Sequence, residues 1–185
     1  GNERKVGSGS GGGDISYIVN GSADDANASI FVPYADTGLR PVDGTGGSPT
    51  VTTSISSVSP LNGTKSYLLT KPAANVQGQG WAVPFTVDLA YRAKSLKISV
   101  DVILNSGTYV PGNNSSSPLD GDVIWYIYDV TNSQLIEPSN IKMFSNSTTL
   151  SDKYEATFQT SATGSSYRLI AHISTTSASA YELKV

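Results

Sequence analysis

The sequence predicts an all-β chain: two antiparallel sheets packed face to face as a β-sandwich of the jelly-roll type. Beyond Asp14 almost no stretch repeats apolar residues at helical spacing, while many short stretches alternate at every second residue and are rich in Val, Ile, Thr and Tyr. Clusters such as Val42-Asp43-Gly44-Thr45-Gly46-Gly47-Ser48-Pro49 and Val110-Pro111-Gly112-Asn113-Asn114 separate those stretches, and they are turn chemistry. Roughly ten short strands without an internal repeat, in a chain of 185 residues, favour a two-sheet sandwich over a barrel or a propeller.

The chain opens on Gly1-Asn2-Glu3-Arg4-Lys5, without an initiator Met or the apolar stretch of a signal peptide, and reads as a segment of something longer. Residues 1–13 read as a flexible linker, because Gly7-Ser8-Gly9-Ser10-Gly11-Gly12-Gly13 maximises backbone freedom and offers no apolar area to offset the entropy of ordering. Its function is a hinge to an upstream part; the alternative is an engineered linker. Residues 14–185 read as one β-sandwich domain. Strands are predicted at residues 15–19, 29–35, 50–58, 66–71, 80–87, 95–104, 122–130, 154–160, 166–173 and 180–185, with an apolar piece at 141–144 as one more. A helical turn is predicted within 88–94.

Alternation assigns faces. Leu96, Ile98, Val100, Val102 and Leu104 share one face of their strand and are predicted core. Val123, Trp125 and Ile127 share a face, as do Tyr167, Leu169, Ala171 and Ile173, and Trp81, Val83 and Phe85. Pro84 opposes that last set and cannot donate to a ladder, which predicts a sheet edge or a bulge there.

Composition excludes several kinds of chemistry. There is no Cys and a single His, His172, so neither a disulfide framework nor a Cys/His transition-metal site can be assembled from this chain. Charged residues are 15% of the chain and the net charge is −3, so no basic field exists for a phosphate backbone and nucleic acid is not an expected partner. Apolar runs such as Val123 to Ile127 fall far short of the roughly 20 residues of a membrane-spanning helix. No Gly-x-Ser-x-Gly elbow accompanies His172, and the carboxylates Asp101, Asp122 and Glu155 show no alternate-position pattern on one strand, so the chain reads as not an enzyme. No cofactor is required. Calcium is the one metal retained, because it takes oxygen ligands and Asn20-Gly21-Ser22-Ala23-Asp24-Asp25 follows the first predicted strand. Asn20, Asp24 and Asp25 are the candidate ligands, against the plainer reading of an exposed turn.

The predicted ligand-binding surface is the solvent side of the sheet. Tyr126 and Tyr128 with Lys97, Asp101, Arg168 and His172 would form an aromatic and polar face if their strands are neighbours, a composition that stacks on sugar rings and hydrogen-bonds hydroxyls. The competing reading is that this face packs against a loop or a neighbouring subunit.

The stretches from Val42 to Val51, Ser59-Pro60-Leu61-Asn62-Gly63-Thr64-Lys65-Ser66-Tyr67, Thr70-Lys71-Pro72-Ala73-Ala74-Asn75 and Gln77-Gly78-Gln79-Gly80 occur in one order. Ile127-Tyr128-Asp129-Val130-Thr131-Asn132, Phe158-Gln159-Thr160, Ser166-Tyr167-Arg168-Leu169-Ile170 and the run from Ser174 to Tyr181 continue it. From about Asp14 to Val185 the chain thereby resembles a domain of tail-fibre and other virion proteins of aquatic bacteriophages. Such domains look like carbohydrate-binding modules of the galactose-binding jelly-roll type. The resemblance implies a non-enzymatic tail-fibre or spike module on the virion surface, adhering to bacterial surface polysaccharide and accompanied by other virion proteins, with a homotrimer as the common fibre assembly. It also implies a structural calcium near the opening strand and the loop after it. The alternatives are a purely structural virion domain without sugar binding, and a glycan-binding accessory module of a secreted bacterial enzyme.

Overall fold

A computed structural model describes residues 5–6, 16–110, 122–138 and 152–185. Eleven strands in these residues form two sheets. The first contains β1 (Lys5–Val6), β3 (Thr52–Ser56), β4 (Ser66–Lys71), β6 (Ser95–Gly107), β9 (Asp152–Gln159) and β11 (Tyr181–Lys184). Its order is β1-β6-β11-β4-β3, with β9 also paired to β6. The second holds β2 (Val32–Ala35), β5 (Gln79–Thr86), β7 (Val123–Asp129), β8 (Gln134–Ile136) and β10 (Ser166–Ile173), in the order β2-β5-β10-β7-β8. All pairings are antiparallel except that of β1, which runs parallel to Lys97 and Ile98 within the segment expected to be a tether.

The alternating pattern places the core as predicted. The five apolar residues of β6 from Leu96 to Leu104, the three of β7, the four of β10 and the three of β5 all face inward into one cluster. Trp81 and Trp125 have no exposed surface, so truncating either removes about 3–5 kcal/mol. The Trp81 indole N–H donates to the Thr52 carbonyl at 2.8 Å, pinning β5 of one sheet to β3 of the other. β6 serves three partners: residues 95–102 pair with β9, residues 97–98 with β1 and residues 103–107 with β11. Glu182 faces Ser106 while Leu183 faces Leu104, so Asn105 is an extra residue, and Gly107 follows it with φ 87°. Pro84 lies beyond the last β2 partner of β5, where a missing N–H breaks no ladder on that side.

Several local expectations are corrected. Residues 15–19 form no strand among the described residues. Tyr17 and Ile18 instead drop into the core from a bend, followed by a 3-10 turn at Ala23–Asp25. The predicted helical turn is a single 3-10 turn at Leu89–Tyr91. β8 was not anticipated, because Gln134–Ile136 is only three residues long and follows a tight turn with Ser133 at φ 52°. The apolar piece at 141–144 lies outside the described residues.

Lysines close loops in this cysteine-free chain. Lys65 Nζ donates to the Ala26 carbonyl at 3.1 Å, and Lys184 Nζ to those of Ser59 and Val58 at 2.7 and 3.4 Å. Lys71, 1% exposed, donates to the carbonyls of Ser179, Ala74 and Pro72 at 2.7, 2.9 and 3.3 Å, and its ammonium lies 5.8 Å from the centre of the Tyr181 ring.

Candidate functional site

The outer face of the second sheet carries the aromatic residues singled out in the sequence. Register sets their neighbours: His172 lies between Gly80 and Ile124, Ile170 between Ala82 and Tyr126, and Arg168 between Pro84 and Tyr128. β2 adds Tyr34 beside Gly80, where the phenol occupies the space a Cβ would fill, and β8 adds Leu135 beside Tyr128.

The loop between β2 and β3 folds back over half of this face. Asp36 organises it: its Oδ2 accepts the backbone N–H groups of Val42, Gly44 and Asp43 at 2.9, 3.0 and 3.2 Å. The Ala35 N–H donates to the Gly46 carbonyl at 2.9 Å, closing the loop's base. Gly44, at φ 74°, presses against Ile170, and a Cβ there would come within 2.6 Å of the Ile170 Cδ1. This loop makes Tyr34, Ile124, Tyr126 and Ile170 a second buried cluster on the sheet's outer side.

Under the loop a short relay joins three groups. The His172 Nε2 lies 3.0 Å from the Gly38 carbonyl, which can only accept, so Nε2 carries the proton. Nδ1 then accepts from the Tyr34 hydroxyl at 2.6 Å. Burial lowers the His172 pKa, with the Gly38 bond and Asp36 opposing, and the ring is held neutral. Tyr126 packs edge-on against His172, and its hydroxyl is buried without a hydrogen-bond partner. Burial pushes the Tyr126 hydroxyl up to about 12; the charge of Arg40 acts against this and that of Glu137 with it.

The rest of the face is open. Arg168 and Tyr128 are half-buried, with the guanidinium carbon 5.9 Å from the Tyr128 ring centre and Nη1 donating to the Asp43 carbonyl at 2.9 Å. Pro84 is exposed beside them. Across the boundary between the covered and open parts, Arg40 of the loop donates through Nε to Glu137 Oε1 at 2.7 Å, and both side chains are more than two-fifths exposed.

The six residues expected to share one surface therefore separate. Tyr126 and His172 have no exposed surface, because the loop packs on them. Lys97 and Asp101 belong to β6 of the other sheet, where Lys97 pairs with Glu155 at 3.1 Å and Asp101 accepts from Asn62 Nδ2 at 3.1 Å. Only Tyr128 and Arg168 remain together and accessible. Arg40, Glu137, Tyr34 and Pro84 were missed. A signal for Arg40 was the long turn-rich segment after Tyr34, which has to cover something when it carries this much turn chemistry between two strands.

The Asn20, Asp24 and Asp25 group does not fit calcium. Asp24 Oδ1 accepts from the Thr64 N–H, the Thr64 hydroxyl and the Lys65 N–H at 2.7, 3.0 and 3.0 Å, and those bonds, the Thr64 amide foremost, lower its pKa. A cation at that oxygen would meet donor hydrogens. The Asn20 carbonyl accepts from the Tyr67 hydroxyl at 2.5 Å, and Asp25 is exposed. Among the described residues no three His, Asp or Glu side chains converge.

The described residues thus form a largely antiparallel β-sandwich whose second sheet carries a solvent-facing aromatic and arginine ledge. No family model matches it, and no curated protein does. Among solved structures it is similar to the CBM22-1 xylan-binding domain of Paenibacillus barcinonensis Xyn10C, with a TM-score of 0.48 and 15% identity over 86% of this chain and 92% of that one. It is also similar to part of the enzymatically active domain of bacteriophage CBA120 tailspike protein 4, with a TM-score of 0.45 and 13% identity over 89% of this chain and 20% of that one. A family 16 carbohydrate binding module matches with a TM-score of 0.39 and 14% identity, over 71% of this chain and 84% of that one.

Proposed function

We propose that this domain is a non-enzymatic adhesion module displayed on a bacteriophage virion, and that the open row of Pro84, Arg168 and Tyr128 is where it meets bacterial surface glycan. The observation that carries the reading is the half-exposed Tyr128 and Arg168 pair, a flat ring and a guanidinium held in place by the Asp43 carbonyl. A ring of that kind removes the apolar face of a pyranose from water, and the guanidinium N–H groups left over donate to ring hydroxyls. One such ledge gives weak affinity, which several copies on a fibre raise through effective concentration. The sequence resemblance to tail-fibre domains supports the virion setting, with bacterial polysaccharide, other virion proteins and a trimeric fibre as the accompanying partners.

The test is a bacterial glycan array probed with a multivalent form of the domain and with its Tyr128→Ala variant. Binding that falls about tenfold or more in the variant supports the reading, since a central aromatic anchor carries that share of a small interface. Absence of binding by the folded multivalent protein sinks it. A second reading, a purely structural virion domain, is favoured by one observation: the loop covers Tyr126 and His172 as a packing surface would be covered. A third, an accessory module of a secreted bacterial enzyme, uses the same ledge and is separated by the sequence upstream, where a catalytic domain would replace fibre repeats.

A further inference from the structure

The Arg40 and Glu137 pair ties the covering loop to the chain just after β8, and the Arg168 bond to Asp43 ties the same loop to the open ledge. Arg40 and Glu137 are 44% and 43% exposed in their side chains, and the bond between them is a single Nε to Oε1 contact. Both charges act on Tyr126, which is fully buried and whose hydroxyl has no partner. Two strand positions away on the same face, Tyr128 carries Arg168 against its ring, about 7 Å along the strand. One guanidinium thus lies over Tyr128, and the charge of a second acts on Tyr126. An intramolecular carboxylate occupies one guanidinium and a backbone carbonyl occupies the other.

We propose that this is a site for acidic saccharide, with the Glu137 carboxylate standing where the carboxylate of a uronic-acid residue binds. The proposal rests on the glycan-binding reading above and names its substrate class. The chemistry follows from the donors present. A guanidinium pairs with a carboxylate through charge-assisted hydrogen bonds, and a second bond becomes available to a ligand that can align both its oxygens with the fork. An exposed ion pair such as Arg40 with Glu137 holds its partners weakly, so an incoming carboxylate displaces Glu137 at small cost. Neutral sugar has no carboxylate to compete with that of Glu137 and leaves the pair closed. On this account the loop tip that carries Arg40 is part of the binding surface, while the Asp36-centred turn behind it stays fixed.

The experiment titrates the protein with glucuronate-, galacturonate- and mannuronate-containing oligosaccharides, each as the free carboxylate and as its methyl ester, by calorimetry at low and moderate salt. The expected result is tighter binding of the carboxylate form, weakening with salt. Glu137→Gln should strengthen carboxylate binding by up to about fivefold, the most that an exposed pair withholds. Arg40→Gln should weaken it by about tenfold or more, with the unfolding midpoint measured alongside to confirm that the variant is folded. Equal binding of acid and ester, or carboxylate binding indifferent to Arg40→Gln, overturns the acidic-site proposal and leaves the glycan-adhesion reading standing. No binding of either form, together with a silent glycan array, overturns both.

Discussion

Replacing Lys71 with Met keeps the length of the side chain and removes its ammonium. Three backbone carbonyls, of Ser179, Ala74 and Pro72, then lose their donor in a site that is 1% exposed. The bonds of 2.7 and 2.9 Å are the strong ones, and hydrogen bonds to a charged group contribute about 1.5–3 kcal/mol each. The ammonium also interacts with the Tyr181 ring and is opposite in charge to the buried Asp122. Against these losses stands the relief of desolvating a charge, which offsets roughly half. The expected net is a loss of about 3 kcal/mol for Lys71→Met, measured by urea unfolding followed through tryptophan fluorescence. Lys71→Arg should also destabilise, because a planar fork does not place its N–H groups on three carbonyls gathered around a point. A Lys71→Met protein within about 0.5 kcal/mol of the parent would refute the reasoning and reduce the lysine cage to a packing contact.

His172 has its pKa lowered by burial, so the unfolded chain binds the extra proton first. Stability should therefore fall as pH drops below about 6.5, at up to about 1.4 kcal/mol per pH unit, and subtracting the profile of His172→Gln should isolate that slope. Asp24 has its pKa lowered by the amides it caps, so its contribution is present above the ordinary carboxylate range and lost as pH falls below it. Asp24→Asn should lower the melting temperature, and added calcium or chelator should leave the parent's melting temperature unchanged. Gly107→Ala forces a side chain onto positive φ against the Ala180 carbonyl and should cost about 2 kcal/mol or more by chemical denaturation.

The sandwich was legible because alternation with period two survives in every long strand. β4 and β10 fall within the predicted bounds, and the inward faces of β5, β6, β7 and β10 follow from parity alone. Parity states which residues share a face but not which sheet a strand joins. Lys97 and Asp101 were grouped with Tyr126 and His172 for that reason, although β6 lies across the core from β7 and β10. The fate of His172 depended on a contact with Gly38, 134 positions away along the chain, and no local pattern encodes such a contact. Residues 15–19 failed differently: Tyr17 and Ile18 are core, but a bend rather than a strand delivers them, and Val19 is exposed.

Lys71 and Lys184 are both largely sealed, with their amines turned inward onto carbonyls. An amine-reactive acylating reagent at modest concentration therefore reaches them only when the molecule opens, whereas exposed amines react from the folded state. Their labelling rate becomes a clock for opening that needs no added probe, and each modified molecule is trapped with its loop clasp undone. Coupling this domain to a bead or a chip through its lysines consequently selects for gentle conditions: brief acylation leaves the fold intact, and prolonged acylation harvests it one opening event at a time.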